Sequence, residues 1–173
     1  MKPLPHRYDV HISGRPSGYG ELSAEGMPAL RTAPPADFDG PGDAWSPEHL
    51  LVAAVQSCFL ITFRGIARAS KVEFTAIDVE AFGTLARVNG TTRFTEIVLR
   101  PIVTVRDDSG REQLEQVLQK AKDRCLVSAS LACATRLEET IFDVTVSPAA
   151  PLAADSVAAN RPGLAASIGF GST

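Results

Sequence analysis

Apolar residues are most concentrated in the segment LLVAAVQSCFLITF, residues 50–63, where they occupy nearly every face of a helix. Ser46 before it is typical of a helix N-cap, and Pro47 is typical of a first helical position. These features predict a helix over residues 46–70, and its apolar faces predict that it is buried all round. A lone chain of this length would have difficulty covering such a helix, and a second subunit is one way to supply the missing layer.

Five other segments have the alternation, or the β-branched and aromatic residues, that predict strands: residues 7–13, 18–32, 72–88, 92–106 and 134–146. In the first two segments the alternation is imperfect, and short strands broken by glycine and proline are expected. The alternation is most regular in the third and fourth, and Asn89-Gly90 between them favours a two-residue hairpin turn. Residues 33–47 are rich in proline and glycine, which predicts a loop.

An amphipathic helix is predicted over residues 111–124. Acidic residues begin it and basic residues end it, as the helix dipole favours. Its apolar stripe is Leu114, Val117, Leu118 and Ala121. Strands and helices are therefore segregated along the chain rather than regularly alternating, which predicts an α+β fold.

The length and the charge of the chain argue against some classes of protein. The 173 residues suggest one domain, and 17 basic against 20 acidic residues give a net charge of -3. This balance lacks the basic excess that phosphate binding by a nucleic-acid-binding protein usually requires. The apolar run of residues 50–63 is short for a membrane span, and the N-terminus has no apolar signal region. We therefore expect a cytoplasmic protein that binds neither nucleic acid nor membranes.

The composition changes near the C-terminus. Alanine, serine, proline and glycine make up 18 of the last 27 residues, and charge is nearly absent there. We expect a single folded domain over residues 1–146 and a poorly ordered tail over residues 147–173.

The three cysteines, Cys58, Cys125 and Cys133, carry the most informative chemistry. Their odd number and wide spacing argue against a structural disulfide framework and against a structural zinc site. No metal or cofactor is expected. A free cysteine is most often a small buried hydrophobe, and that is the simplest interpretation of Cys133.

The other two cysteines leave two interpretations open. Cys58 lies in the apolar helix with no charged residue within one turn, so an activating cation would have to come from elsewhere in the fold. Cys125 follows Lys122 and Arg124 at a helix end. Those cations favour a thiolate, whereas the helix C-terminus opposes it. Each of the two is either a packing residue or a reactive thiol.

Residues 35–59, PADFDGPGDAWSPEHLLVAAVQSCF, resemble the signature of the OsmC/Ohr family of thiol-dependent hydroperoxide reductases. The segment CLVSASL, residues 125–131, resembles the family's second cysteine motif. The two motifs lie in the family's order, and the resemblance extends over residues 8–146. It differs at Leu126, where many members have proline.

The resemblance implies a mechanism and an assembly. Cys58 would be oxidised by a peroxide to a sulfenic acid, and Cys125 would resolve it to a Cys58–Cys125 disulfide. A dithiol reductant would restore both; in the family the reductant is often a lipoylated protein or a small thiol. Glu48 matches the family's glutamate, which orients an arginine that stabilises the thiolate. Arg15 in SGRPSG is the first choice for this arginine, with Arg31 as the fallback. The implied fold has antiparallel sheets around long buried central helices in an intertwined homodimer.

Three functions remain in view. The first is a two-cysteine peroxidase that reduces organic hydroperoxides, with hydrogen peroxide as a further substrate. The second is a stress protein of the same fold with low turnover, which binds a hydrophobic ligand at the dimer interface. The third is a thiol redox sensor. An apolar wall at the site would favour organic peroxides, but it would also oppose thiolate formation.

Overall fold

The computed structural model describes residues 2–144, so the predicted tail from residue 147 and the domain boundary at residue 146 lie outside the described residues. The strands and helices follow in this order: β1 (His11–Gly14), β2 (Gly20–Ser23), β3 (Leu30–Thr32), α1 (Pro47–Ser70), β4 (Ala76–Val88), β5 (Thr91–Val105), α2 (Arg111–Asp123), α3 (Leu126–Ala129), β6 (Ala134–Leu137) and β7 (Ile141–Val144). This is the α+β organisation that the sequence predicts.

Strands β1, β2 and β3 form a small antiparallel sheet in chain order. The predicted strand segments 7–13 and 18–32 are longer than the strands that form. The second segment is divided because Gly26 has a φ of 73°, which a strand cannot contain. A bridge between Thr32 and Trp45 joins this sheet to the residue before the N-cap of α1.

The second sheet is built on the β4–β5 hairpin. Asn89 and Gly90 form its two-residue turn with φ values of 51° and 82°, as a type I′ turn requires. The predicted final strand, residues 134–146, is two strands, β6 and β7, and both pair parallel to β5. The interruption falls at Glu138, whose carboxylate accepts a 2.7 Å bond from Arg100 Nε. This sheet is therefore mixed, whereas antiparallel sheets were expected.

Both predicted helices form. Ser46 caps α1 by accepting a hydrogen bond from the His49 backbone N–H at 3.2 Å, and Pro47 occupies the first helical position. Helix α2 buries its predicted stripe completely. The core consists of this stripe, one face of α1 and the inner face of β5.

Helix α1 is covered less than its sequence predicts. In this chain its buried residues are Val55, Phe59, Phe63 and Ala67, which lie on one face, while Ile61 is 66% exposed. The expectation that α1 is buried all round is therefore wrong within one chain. The most apolar 18 residues of α1 have a mean hydropathy of 1.8, so by length and composition the helix could cross a membrane. The core helix of a protein that does not cross a membrane can have the same length and composition.

Candidate active site

Cys58 and Cys125 meet where the middle of α1 faces the junction of α2 and α3. Cys58 is half-buried on α1, and Cys125 is the fully buried N-cap residue of α3. Both are free thiols, and each thiol shifts the pKa of the other. The structure thus brings together the two cysteines that the resemblance pairs.

The position of Cys125 follows from how α2 packs. The buried stripe of α2 packs on α1, and Cys125 follows one residue after the C-cap Arg124. Cys125 Sγ then donates a long hydrogen bond of 3.9 Å to the carbonyl oxygen of Val55, one turn before Cys58 on α1. A thiol has one proton, so this bond competes with donation from Cys125 to Cys58 Sγ. The Cys125 carbonyl accepts from Ala129 N at 3.0 Å, which closes the single turn of α3.

The surroundings of Cys58 favour its thiolate. Burial raises the pKa of the Cys58 thiol, but the Val127 backbone N–H, the Cys125 thiol, the Leu126 backbone N–H and the Thr62 hydroxyl outweigh this effect. The net pKa of Cys58 lies below its ordinary value. All four groups are neutral, so the activating cation that we expected from elsewhere in the fold is not what lowers this pKa.

The pKa of Cys125 shifts in the opposite direction. Burial raises it, the Ser128 hydroxyl and backbone N–H lower it, and the hydrogen bond and negative charge of Cys58 raise it again. The net pKa of Cys125 lies above its ordinary value. The pair therefore combines one thiol whose pKa is lowered with a second thiol whose pKa is raised.

Thr62 contributes from the next turn of α1. In the structure its hydroxyl donates to the Cys58 carbonyl oxygen at 2.8 Å. A hydroxyl has one proton, so this bond competes with donation from the same hydroxyl to Cys58 Sγ. The spacing of four residues from Cys58 places Thr62 on the same helix face, a relation that is visible in the sequence.

Glu48 lies in the first turn of α1, as predicted, ten residues before Cys58. That separation is ~15 Å along a straight helix, too far for direct contact. Its Oε2 atom is buried and has no hydrogen-bond partner among residues 2–144. Glu48 borders a cavity of about 340 Å³ whose other walls include Ile12, Ala33 and Phe38. A buried carboxylate oxygen without a donor is costly, so this position calls for a cation or a donor.

The structure does not bring either candidate arginine to Cys58. Arg15 is exposed in the connection between β1 and β2. Arg31 Nη2 donates to the Asp43 carbonyl oxygen at 2.9 Å and to its carboxylate at 3.2 Å, and the guanidinium lies 4.3 Å from the centre of the Tyr19 ring. Within one chain, the described part of the protein supplies no arginine among the groups that shift the Cys58 pKa.

The remaining candidates have other surroundings. Cys133 is half-buried and packs against the core, in agreement with its interpretation as a packing residue. Among residues 2–144, no cluster of three or more histidine, cysteine and carboxylate side chains could hold a metal ion.

Comparison with known proteins identifies the family. Residues 40–140 match the family model described as OsmC-like protein. The chain belongs to the OsmC-like family. Among curated sequences, it is 25% identical over 100 residues to the uncharacterized protein YmaD of Bacillus subtilis, a match that covers 56% of this chain and 67% of YmaD.

Solved structures show the same OsmC-like fold. An OsmC-like protein of unknown function from Vibrio cholerae matches with a TM-score of 0.72 at 19% identity, covering 79% of this chain and 100% of its own. An organic hydroperoxide resistance protein from Elizabethkingia anophelis matches with a TM-score of 0.64 at 18% identity, over 84% and 100% of the two chains. The organic hydroperoxide resistance protein OhrB of Bacillus subtilis matches with a TM-score of 0.56 at 16% identity, over 81% and 98%. At these identities the likeness establishes the fold.

Proposed function

We propose that this OsmC-like protein is a thiol-dependent peroxidase that reduces organic hydroperoxides, with hydrogen peroxide as a further substrate. The observation that carries the proposal is the reduced Cys58–Cys125 pair, in which the pKa of Cys58 is lowered and that of Cys125 is raised. A nucleophilic thiolate beside a protonated second thiol is what a two-cysteine peroxidase needs. The names of two structural relatives, both organic hydroperoxide resistance proteins, support the same substrate class.

The chemistry balances with these two residues. The Cys58 thiolate attacks the terminal oxygen of the hydroperoxide, the O–O bond breaks, and the alkoxide takes a proton and leaves as an alcohol. Cys58 is then a sulfenic acid. Cys125 sulfur attacks Cys58 sulfur, a disulfide forms, and the hydroxide leaves as water with the proton of Cys125. A dithiol reductant, for which a lipoylated protein is our candidate, returns both residues to thiols.

Glu48 and an arginine complete the proposed site. The buried Glu48 oxygen without a partner supports the presence of a cation that one chain does not supply. We assign this cation to Arg15 in an assembled dimer, with Arg31 as the second choice. Arg15 is exposed, and it engages no carboxylate within 4.0 Å in the described part of the chain, whereas Arg31 is held by Asp43.

A homodimer is part of the proposal because of helix α1. Only 22% of the most apolar 18 residues of α1 are buried within one chain. An exposed apolar surface of this kind is typical of a protein–protein interface. A second copy would cover this surface, and it would bring another β1–β2 connection towards the Glu48 region. Analytical ultracentrifugation of the full chain tests this step, and a monomer at micromolar concentration would contradict it.

The proposal also places the protein in the cytoplasm, because its catalytic cycle begins with reduced thiols and a reducing compartment maintains them.

Turnover with matched cysteine variants tests the enzyme. We expect Cys58→Ser to abolish consumption of cumene hydroperoxide in the presence of dihydrolipoamide. Cys125→Ser should stop turnover by the dithiol and leave a Cys58 sulfenic acid that dimedone traps. Cys133→Ser is the matched control and should retain wild-type turnover. Full activity in Cys58→Ser would refute the proposal.

One observation supports a second candidate function, a protein that binds a hydrophobic ligand with little turnover. The cavity beside Glu48 is lined mainly by apolar residues, among them Ile12, Pro35 and Phe38. Binding of a fluorescent fatty acid by wild type and by Cys58→Ser separates the two functions. Equal affinity in both proteins, together with no peroxide turnover by wild type, would favour the binding protein. The third interpretation, a thiol redox sensor, predicts oxidation of Cys58 without turnover by a dithiol.

A further inference from the structure

A second cavity, of about 780 Å³, lies at the C-terminal end of α1, away from the cysteine pair. Its walls come from the last turns of α1, from residues 72–75 before β4, and from the connection between β5 and α2. Arg64 on its wall lies six residues beyond Cys58, which is about 9 Å along the helix axis and about 120° around it. The cavity is therefore separate from the proposed peroxidase site.

The cavity walls are rich in cations. They include four basic residues, Arg64, Arg68, Lys71 and Arg106, and two acidic residues, Glu73 and Asp107. Cations at the C-terminal end of a helix interact favourably with its dipole, which explains Arg68 and Lys71. The helix dipole does not explain Arg64, which lies nearly two turns before the end of α1, or Arg106, which follows β5.

Most of these cations have no anionic partner. Glu73 lies 4.0 Å from Arg106, and both side chains are well exposed. The Asp107 carboxylate accepts hydrogen bonds from the Ser109 backbone N–H and hydroxyl. The other three cations are Arg64, Arg68 and Lys71. Within residues 2–144, no carboxylate oxygen lies within 4.0 Å of any of them. The whole chain has a net charge of -3, so the excess of positive charge is confined to the region around this cavity and is not a property of the protein as a whole.

Two further features of the walls suit a phosphorylated ligand. Helix α2 begins there, and its N-cap residue, Gly110, provides no side-chain cap. The Arg111 N–H already donates to the Asp108 carbonyl oxygen, which leaves the N–H groups of Glu112 and Gln113 for an anion. Beside the cations lie the apolar side chains of Val72 and Phe74. The walls thus offer cationic and N–H donors to an anionic group and an apolar surface to the rest of a molecule.

We propose that this cavity binds a small organic phosphate. Paired guanidinium groups such as Arg64 and Arg68, which lie four residues apart on one helix face, match the oxygens of a phosphate group. A phosphomonoester carries a charge of about −2 at neutral pH, which equals the excess of cations over acids in the cavity. The organic part packs against Val72 and Phe74. The volume falls within the range of small-molecule sites, roughly 300–1,000 Å³.

The test uses adenosine monophosphate as the probe, with isothermal titration calorimetry on the full chain at low ionic strength. We expect the double variant Arg64→Gln/Arg68→Gln to bind at least tenfold more weakly than wild type. The matched control is Arg87→Gln/Arg93→Gln, which removes the same charge from the exposed β4–β5 hairpin and should bind like wild type.

Each other result overturns the proposal. Absence of adenosine monophosphate binding at millimolar concentration contradicts it directly. Equal weakening in both double variants would show attraction to overall charge and not a site. Inorganic phosphate that binds as tightly as adenosine monophosphate would contradict the role of the apolar wall. Both double variants should retain the peroxide turnover of wild type, which separates this proposal from the proposed function.

Discussion

The backbone N–H of Leu126 offers the most informative perturbation of the candidate site. This N–H lies in the first turn of α3, so it has no partner within the helix, and it is one of the donors that lower the pKa of Cys58. Proline has no N–H and fits the first position of a helix. The preceding residue, Cys125, has φ −68° and ψ 111°, an extended conformation that a following proline accepts. Leu126→Pro therefore removes one donor with little change in the backbone.

The magnitude follows from the strength of such a bond. A hydrogen bond to a charged group contributes about 1.5–3 kcal/mol, and the lower end applies because Cys58 is partly exposed and because the Val127 N–H and the Cys125 thiol lower its pKa more than Leu126 does. About 1.4 kcal/mol corresponds to a factor of ten in an equilibrium constant. At a fixed pH below the Cys58 pKa, Leu126→Pro should therefore have about a tenfold lower thiolate fraction and react about tenfold more slowly.

Iodoacetamide alkylation, followed by peptide mass mapping over a range of pH, measures this effect at Cys58 alone. Leu126→Ala is the matched control, because it retains the N–H and removes a side chain that is 78% exposed. Its alkylation rate should equal that of wild type. If Leu126→Pro and Leu126→Ala have the same rate and the same pH midpoint, the N–H does not stabilise the thiolate and the reasoning is refuted. Circular dichroism of both variants verifies that they are folded.

Three further predictions address the site and the core. Thr62→Val should slow Cys58 alkylation by less than Leu126→Pro does, because the Thr62 hydroxyl proton is shared with the Cys58 carbonyl oxygen. An unchanged rate would exclude any role for Thr62 in lowering the Cys58 pKa. In wild type, the rate of Cys58 alkylation should rise with pH through a midpoint below that of a free cysteine. Cys125, whose pKa is raised, should react only at higher pH. The reverse order would contradict the assignment of roles to the two cysteines. Leu114→Ala should lower the free energy of unfolding in urea by about 2–5 kcal/mol because Leu114 is fully buried, whereas the exposed Glu112→Ala should change it by less than about 0.5 kcal/mol.

The sequence predicts the local elements well where one short-range cause decides them. The N-cap Ser46, the Asn89-Gly90 turn and the buried stripe of α2 each depend on neighbouring residues, and the structure confirms all three. The division of the predicted last strand into β6 and β7 was not predicted. It falls where Glu138 pairs with Arg100, 38 residues earlier, and a pattern along the chain does not reveal such a contact.

The cysteine pair could be predicted only through the resemblance to a family, because 67 residues separate Cys58 from Cys125. The stabilising groups at Cys58 were not predicted. Every residue except proline has a backbone N–H, so the sequence does not show which ones face a thiol. The departure from Cys-Pro at Leu126 was a usable signal, since it leaves an N–H where proline has none.

The predicted roles of Glu48 and Arg15 remain predictions. A glutamate at the start of α1 follows from the motif, but the location of a partner arginine depends on how two chains assemble. One sequence does not specify that geometry, and one chain leaves the Glu48 oxygen without a partner among the described residues.

The most direct test of the central claim is to follow the two sulfur atoms through one reaction. The protein is reduced, freed of reductant and mixed with one equivalent of cumene hydroperoxide, then stopped in acid within seconds and mapped without reduction. The account predicts that the intact mass falls by two hydrogen atoms and that the Cys58 and Cys125 peptides are linked. A mass that stays unchanged for minutes, or a linkage that includes Cys133 in place of Cys125, would contradict it.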